Sequence, residues 1–389
     1  MTLTSANFRS DSRTRLLSTL TLGHGTNDFY SVLLPVLLPV IAADFGLNYT
    51  QFGFVFLVTT LMSGFLQPLM GFVADRYGVQ KRILIVGFFM FAVGLGGFSV
   101  ASTFLALIAA SFIYGLGETT FHAQSTNYIT TAFAEKKGRA MGVHGLGGSL
   151  GNFAAPAAAA FLIAAIYWRL AALVLALPAI ILTIVLTIGL KPGRHNDQIA
   201  FGKGVSRGLV LLGINFGLIT MLYRGFLAFL PTWLLENNMP LTSAGVITSL
   251  MLLVGVIAQP IGGVIFDQFG GKVVFVISPI IAGLALLAMT TVEGWLVILF
   301  IVIVGASITM VFPVALTMAS SFNGAASAGM SVGLVFGISA TMSSFTPLLT
   351  GLLADQFGLD SALQLLIILP LLATLMTLFL HSQNKYKIG

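Results

Sequence analysis

Ionisable and amide side chains occur at helical spacing inside very apolar segments of this chain. His24, Asn27 and Asp28 lie at positions i, i+3 and i+4, so a helix would carry all three on one face. Glu118 and His122 lie four residues apart in another apolar segment, and we therefore expect them to be neighbours one helical turn apart. Carboxylates and imidazoles exchange protons, so Asp28, Glu118 and His122 are candidates for a proton-handling site. The alternative is a polar clamp that only holds two helices together.

A second set of polar residues could contact a small molecule. His144, Gly148 and Asn152 are spaced to share one helix face, whereas the second half of the chain has fewer polar residues in its apolar segments. Arg224 is the only cation in the middle of such a segment; it could neutralise Asp28 or Glu118, or bind an anion. Asn215 and Arg224 can face one cavity only if their helix is distorted, because nine residues span about 180° of an ideal helix. The candidate ligand-binding residues are His24, Asn27, Asn152, Asn215, Tyr223 and Arg224.

The elements that must position these residues are membrane helices. Hydrophobic residues make up 57% of the 389 residues and charged residues only 8%, against about 25% in soluble domains. The absence of cysteine excludes disulfide and thiolate chemistry, and we expect no cleavable signal peptide. Runs long enough to span a bilayer are predicted at 16–43, 50–74, 83–101, 104–132, 139–165, 168–190, 208–235, 242–266, 273–291, 295–320, 326–353 and 360–381.

The distribution of basic residues predicts the orientation of the chain. With the N-terminus inside, the inner segments hold every Lys and Arg except Arg169 and Arg224. The positive-inside rule then places both termini in the cytoplasm. The longest hydrophilic interruption, 191–207, follows six predicted helices, so it separates an N-terminal bundle at 1–190 from a C-terminal bundle at 208–389.

The segment 67–78 recurs at 259–270, about half the chain length later, and a shorter copy occupies 351–358. Such repetition in an apolar chain indicates a duplicated bundle with nested repeats, as in secondary transporters. The motif Gly71-x3-Asp75-Arg76-x-Gly78 resembles the loop signature of the major facilitator superfamily. The resemblance implies that Gly71, Asp75, Arg76, Gly78 and the repeated Asp267 form a gate, in which Asp75 latches the two halves at the N-terminus of helix 11. The alternative is a simple turn with a solvated carboxylate.

Two further motifs are similar to branches of that family. Gly142, Gly151 and Pro156 match the antiporter motif of proton-coupled exporters, which implies a closely packed helix 5 at the interface between the halves. The segments 24–28 and 115–122 resemble the fosmidomycin-resistance branch. The resemblance also implies that helices 1, 4, 7 and 10 line a central cavity.

These patterns predict an all-α membrane protein with twelve transmembrane helices in two pseudo-symmetric six-helix bundles, the major facilitator fold. The expected function is proton-coupled export of a small drug-like or anionic compound by alternating access; the alternative is a symporter or exchanger of a small organic anion. A non-transporting membrane receptor is the alternative of a different class. No nucleophile or metal-ligand constellation is evident, so we expect neither an enzyme nor a cofactor or metal. The expected partners are the substrate, protons and the bilayer of a bacterial or archaeal plasma membrane, with no nucleic acid and a monomeric chain.

Overall fold

The structure is a computed structural model that describes residues 10–192, 206–321 and 328–380, without the side chains of residues 10–12, 65, 68, 75, 328 and 329. Most of the predicted linker at 191–207 lies outside the described residues. Within them every regular element is an α-helix. The helices are α1 Ser10–Ser31, α2 Leu34–Phe45, α3 Tyr49–Tyr77, α4 Gln80–Val100, α5 Phe104–Glu118, α6 His122–Ala132, α7 Lys137–Ala165, α8 Trp168–Gly189, α9 Arg207–Glu236, α10 Leu241–Leu253, α11 Gly255–Phe269, α12 Gly271–Met289, α13 Trp295–Ser321, α14 Ala328–Ser344, α15 Thr346–Phe357, α16 Leu359–Leu365 and α17 Ile368–Thr377.

These helices form twelve spans that are long and apolar enough to cross a membrane, which confirms the predicted number. Hydrocarbon offers no partner to a backbone N–H or C=O, so a spanning segment must satisfy these groups within its own helix. Large apolar side chains such as Leu105, Ile188 and Leu378 remain more than 70% exposed, as expected of a surface that faces lipid.

Five of the spans consist of two helices separated by a short break: α1–α2, α5–α6, α10–α11, α14–α15 and α16–α17. The sequence predicted continuous helices here, and the fourth span shows why this matters. α5 ends at Glu118 and α6 begins at His122. The hydroxyls of Thr119 and Thr120 bond to the carbonyls of Leu116 and Gly117, so side chains satisfy the acceptors at the end of α5.

Helices α1–α8 form one half of the molecule and α9–α17 the other. The halves meet where α3 packs against α14 and α15, α7 against α10, and α2 against α9. At Gly245 of α10 a side chain would collide with Ala160 and with the carbonyl of Pro156 on α7. We call the end where α8 stops and α9 starts the linker end, and the opposite end the far end.

The three copies of the loop motif share one backbone feature. Each ends in a glycine with positive φ: 66° at Gly78, 84° at Gly270 and 83° at Gly358. Side chains with a Cβ rarely adopt this conformation, so glycine permits each helix to end there and the chain to turn back. The turn predicted at Gly78 is therefore confirmed; its two copies share the positive φ but differ in ψ, which is 26° at Gly78 and 163° and 157° at Gly270 and Gly358.

Candidate functional site

The polar residues predicted within the spans form two separate groups. The first, which we call the aspartate cluster, contains Asp28 and the polar side chains that surround it. The second is an ion pair between Glu118 and Arg224. The helix breaks of the first and fourth spans position both groups, because Asp28 lies near the end of α1 and Glu118 and His122 flank the gap between α5 and α6.

Four polar side chains surround the Asp28 carboxylate. Asn27 Nδ2 donates to Oδ1 over 3.2 Å, and Asn152 Nδ2 donates to Oδ2 over 3.1 Å. His24 Nε2 lies 3.4 Å from Oδ2, and His122 Nε2 lies 3.7 Å from Oδ1. The cluster thus combines residues of α1, α6 and α7, and it brings together five of the residues predicted to handle protons or bind a ligand.

Helix α7 fixes the position of His24. The Nδ1 atom of His24 is 2.9 Å from the carbonyl oxygen of His144, and the two imidazole rings stack with centroids 4.3 Å apart. The His144 Nε2 atom lies 3.3 Å from the Ser125 hydroxyl. Gly148 brings the backbone of α7 against the cluster, since a Cβ there would lie 2.6 Å from Asp28 Oδ2 and 2.7 Å from His24 Nε2.

The ion pair joins the two halves of the molecule. Arg224 Nη2 on α9 lies 3.7 Å from Glu118 Oε1 at the end of α5, and the two side chains are 29% and 6% exposed. Both line a pocket between the halves, together with residues such as Thr59, Tyr114 and Pro347. A carboxylate this deeply buried is costly without a counter-charge, so Arg224 stabilises its ionised form.

This arrangement corrects the predicted neighbourhood of His122. The spacing of Glu118 and His122 predicted one continuous helix with His122 beside the glutamate, but the turn at Thr119–Phe121 separates them. His122 lies instead against Asp28 and Asn27, with its Nε2 atom 3.3 Å from Asn27 Nδ2. The sequence left open whether Arg224 neutralises Asp28 or Glu118, and in the structure it contacts Glu118.

The remaining ligand-binding candidates differ in location. Tyr223 is partly buried beside Arg224 and packs against a small apolar cluster formed by Val32, Ala155, Leu227 and Leu252. Asn215 is fully buried and lies away from both polar groups: its Nδ2 atom donates to the Ala373 carbonyl and to the Thr377 hydroxyl on α17. The continuity of α9 explains this difference, because residues nine positions apart lie on opposite faces of one unbroken helix.

The fold also assembles a set of potential metal ligands that the sequence spacing did not reveal. His24, Asp28 and His122 each offer one ligand atom, and these atoms all lie within 4.8 Å of one another. The expectation of no metal-ligand constellation was therefore wrong at the level of geometry. The ligands come from α1 and α6, which are far apart in the sequence, so no short motif could indicate them.

At the far end, a carboxylate of one half binds the backbone of the other half. Asp355, at the end of α15, accepts hydrogen bonds from the backbone N–H groups of Tyr49 and Thr50, each over 2.9 Å, and from the Thr50 hydroxyl over 2.5 Å. Tyr49 also donates its hydroxyl to Glu236 at the end of α9. Asp355 belongs to the third copy of the loop motif, but in the sequence that copy indicated only nested repeats and did not predict this contact.

The predicted gate at the linker end is described only in part. The Asp75 side chain lies outside the described residues, and Asp267 is exposed to solvent. Arg76 is half-buried in the last turn of α3. Gly71 faces α6, where a Cβ would lie 3.3 Å from that of Ala123, consistent with the predicted close approach of two helices.

Only part of the predicted antiporter motif lies between the halves. Pro156 does, because its carbonyl faces Gly245, and the next residue, Ala157, donates its N–H to Ser249 Oγ over 3.0 Å. Gly151 instead packs against the backbone of Gly25 on α1, within the same half. Gly142 has open space around it, so the motif as a whole is not an interface between the halves.

Comparison with known proteins is consistent with this architecture. Residues 20–235 and 210–387 match the model of the Major Facilitator Superfamily. The fosmidomycin resistance protein of Escherichia coli (strain K12) is 26% identical over 395 residues, covering 96% of this chain and 94% of the relative. The MFS-type transporter YfnC of Bacillus subtilis (strain 168) is 23% identical over 385 residues, covering 93% of this chain and 91% of the relative.

Among solved structures, a bacterial homologue of the human lysosomal transporter Spinster, in an inward-facing and unoccupied conformation, superposes with a TM-score of 0.82. The identity is 14%, and the match covers 96% of this chain and 98% of the other. At this identity the likeness shows the fold alone.

Proposed function

This chain belongs to the Major Facilitator Superfamily and is a multi-pass membrane transporter rather than an enzyme, and we propose that it exports a small organic compound in exchange for protons. The observation that carries the proposal is the ion pair between Glu118 and Arg224. It is buried, it lines a pocket, and its two members belong to opposite halves. A buried charge pair at such a position is a functional feature by default in a membrane protein.

The chemistry of the pair supports coupling between proton and substrate. While Glu118 is ionised, it holds the Arg224 guanidinium and joins the halves. When Glu118 takes up a proton, the attraction is lost and the guanidinium becomes available to an anionic or polar group of the substrate. Proton and substrate therefore bind to alternative states of one pair, and each can shift the equilibrium between open conformations. The sequence-based prediction that Asp28 and His122 share this task stays a prediction.

We also propose an orientation with both termini in the cytoplasm of a bacterial cell. The basic residues described at the linker end, such as Lys81, Arg82 and Lys136, support it through the positive-inside rule. The far end would then be extracellular. Because Asp355 holds the halves together there, the described conformation is closed to the outside.

Exchange or symport of an organic anion is the second candidate, and Arg224 favours it. Among the described residues it is the one Lys or Arg in the middle of a span, and a guanidinium recognises carboxylate and phosphate groups through paired hydrogen bonds. Exchange predicts transport that depends on a counter-anion on the opposite side, whereas symport predicts uptake of the anion together with a co-transported ion.

The test is transport by purified protein in liposomes with an imposed pH gradient. Fosmidomycin, the compound in the name of the E. coli relative, is the first substrate to try, followed by a panel of neutral and anionic compounds. For any compound that is moved, Glu118→Gln should abolish accumulation driven by the pH gradient and keep substrate exchange at equal pH. Glu293→Gln, at an exposed loop position, is the matched control and should transport like the wild type. If Glu118→Gln accumulated substrate normally, the proposed coupling would be wrong.

The gate at the linker end is proposed from the loop motif. Asp75→Asn should slow transport. The apparent substrate affinity of the purified protein should change only to the extent that the variant changes the populations of the two conformations. Transport at the wild-type rate would exclude a latch at this position.

A further inference from the structure

We propose that His24, Asp28 and His122 form a binding site for one divalent transition metal ion, with Zn²⁺ as the reference ion. The three residues belong to the aspartate cluster, which the proposed transport mechanism does not use. The inference rests on the geometry of this cluster and is independent of the proposed function.

The distances between the potential ligand atoms fit such an ion. In a tetrahedral site with bonds of about 2.0–2.2 Å, neighbouring ligand atoms lie about 3.3–3.6 Å apart. Asp28 Oδ2 is 3.4 Å from His24 Nε2, and Asp28 Oδ1 is 3.7 Å from His122 Nε2. All three residues offer an atom within 4.8 Å of the others, so small rotations of the side chains would complete the geometry.

The hydrogen bonds of His24 direct the Nε2 lone pair of its neutral ring at the Asp28 carboxylate, where a proton or a metal ion can bind. Its Nδ1 atom lies 2.9 Å from a carbonyl oxygen, which can only accept, so Nδ1 carries the hydrogen. In the neutral ring, Nε2 then presents its lone pair to Asp28 Oδ2, which is also an acceptor, over 3.4 Å. Two acceptors face each other, and a positive ion between them removes the repulsion.

His122 lies on the other side of the carboxylate, where the Asn27 amide nitrogen is within hydrogen-bond distance of both Asp28 Oδ1 and His122 Nε2. Its Nε2 atom accepts from the Asn27 amide nitrogen over 3.3 Å and lies 3.7 Å from Asp28 Oδ1. One proton can bridge two of these atoms, whereas one metal ion can bind all three ligands at once. A metal ion bound by His122 Nε2 would take the place of the Asn27 N–H there, and Asn27 would keep its bond to Asp28 Oδ1.

The surroundings of the three ligands resemble the outer shell of a metal site. Histidine ligands usually donate their second ring N–H to a carbonyl or carboxylate, as His24 does to the His144 carbonyl. The carboxylate of Asp28 is held by the amides of Asn27 and Asn152. These bonds fix the orientation of two ligands before an ion binds, which lowers the cost of ordering them.

The open side of the site indicates exchange with solution. The His122 side chain is 42% exposed, whereas those of His24 and Asp28 are about 15% exposed. Three protein ligands with one open position allow water or another molecule to complete the coordination. Two imidazoles and one carboxylate favour Zn²⁺, Co²⁺, Ni²⁺ and Cu²⁺ over Mg²⁺ and Ca²⁺.

The test is binding of Co²⁺ to the purified, tag-free chain in detergent, without any transport substrate. Visible absorption reports Co²⁺ coordinated by nitrogen ligands, and competition with Zn²⁺ and with Mg²⁺ gives the selectivity. We expect one Co²⁺ per chain, displaced by Zn²⁺ and not by Mg²⁺. Asp28→Asn and His122→Gln should each weaken binding more than about tenfold, since loss of an outer-shell partner alone costs that much.

Glu118→Gln is the matched control, because it removes the carboxylate proposed to exchange protons and leaves the three ligands in place. Its Co²⁺ affinity should equal that of the wild type, so failure of the transport mechanism and failure of the metal site are distinguishable. Absence of the absorption band in monodisperse wild-type protein would overturn the proposal. So would unchanged binding by a monodisperse His24→Gln/His122→Gln variant, since the ion would then lie elsewhere.

Discussion

Replacing Asp355 by asparagine should open the far end of the transporter. The carboxylate accepts bonds from the first two N–H groups of α3 and from the Thr50 hydroxyl. These N–H groups have no partner within their own helix, and the side chain of Asn48 already accepts a bond from the backbone N–H of Gln51. Asp355 thus caps a helix of the opposite half, and the contact exists only while the two halves meet at this end.

The magnitude follows from the cost of removing a helix cap. Loss of a capping side chain costs about 0.5–2 kcal/mol, and we take about 1 kcal/mol because Asp355 is exposed and asparagine keeps one acceptor. The contact stabilises only the conformation closed at the far end. Its loss therefore shifts the ratio of the two conformations about fivefold towards the one that is open there.

The absence of native cysteine makes the measurement direct, because a pair of labels can be placed without background. Ser102→Cys and Thr291→Cys lie in exposed far-end loops of opposite halves, and the distance between spin labels on them reports the opening. Asp355→Asn should raise the ratio of the long-distance to the short-distance population about fivefold.

Asp360→Asn is the matched control for this measurement. Asp360 accepts a bond from Trp233 Nε1 over 2.6 Å at the same end, but both residues belong to the C-terminal half. That contact does not change when the halves separate, so its loss should leave the distances unchanged. An equal shift in both variants, or no shift in Asp355→Asn, would refute the capping argument.

Further predictions concern the polar groups and the topology. Arg224→Ala should lower the free energy of unfolding in detergent by a few kcal/mol, because it leaves Glu118 buried without a counter-charge. Adding Glu118→Gln should restore most of the lost stability. A double variant that is no more stable than Arg224→Ala would contradict the ion pair. Gly148→Ala should disrupt the aspartate cluster, because the added Cβ would lie 2.6 Å from Asp28 Oδ2. Gly145→Ala is the control, since Gly145 has open space around it. Equal thermal stability of the two variants would contradict the close packing of Gly148 against the cluster. A reporter fused within 191–207 should give a cytoplasmic signal, and an external signal would reverse the proposed orientation.

The helix breaks show where the sequence pattern stopped being sufficient. The four-residue spacing of Glu118 and His122 predicts neighbours only if one helix continues through both. The turn at Thr119–Phe121 makes them face different partners, and the hydroxyls of Thr119 and Thr120 stabilise that turn locally. A threonine pair in an apolar run does not by itself predict a break, because threonine hydroxyls also bond to carbonyls of intact helices.

The amino-acid sequence by itself determined the number of spans and the turn at Gly78. Hydrocarbon requires helical backbone over any long apolar run, and a repeated motif requires a repeated unit. The tertiary structure alone decided the partners: His122 with Asp28, Glu118 with Arg224, and Asp355 with the start of α3. Each pair joins residues that are distant in the chain, and their contact depends on how helices rotate and approach one another. That approach is set by small residues such as Gly148, whose packing role appears only when the neighbouring helix is in place.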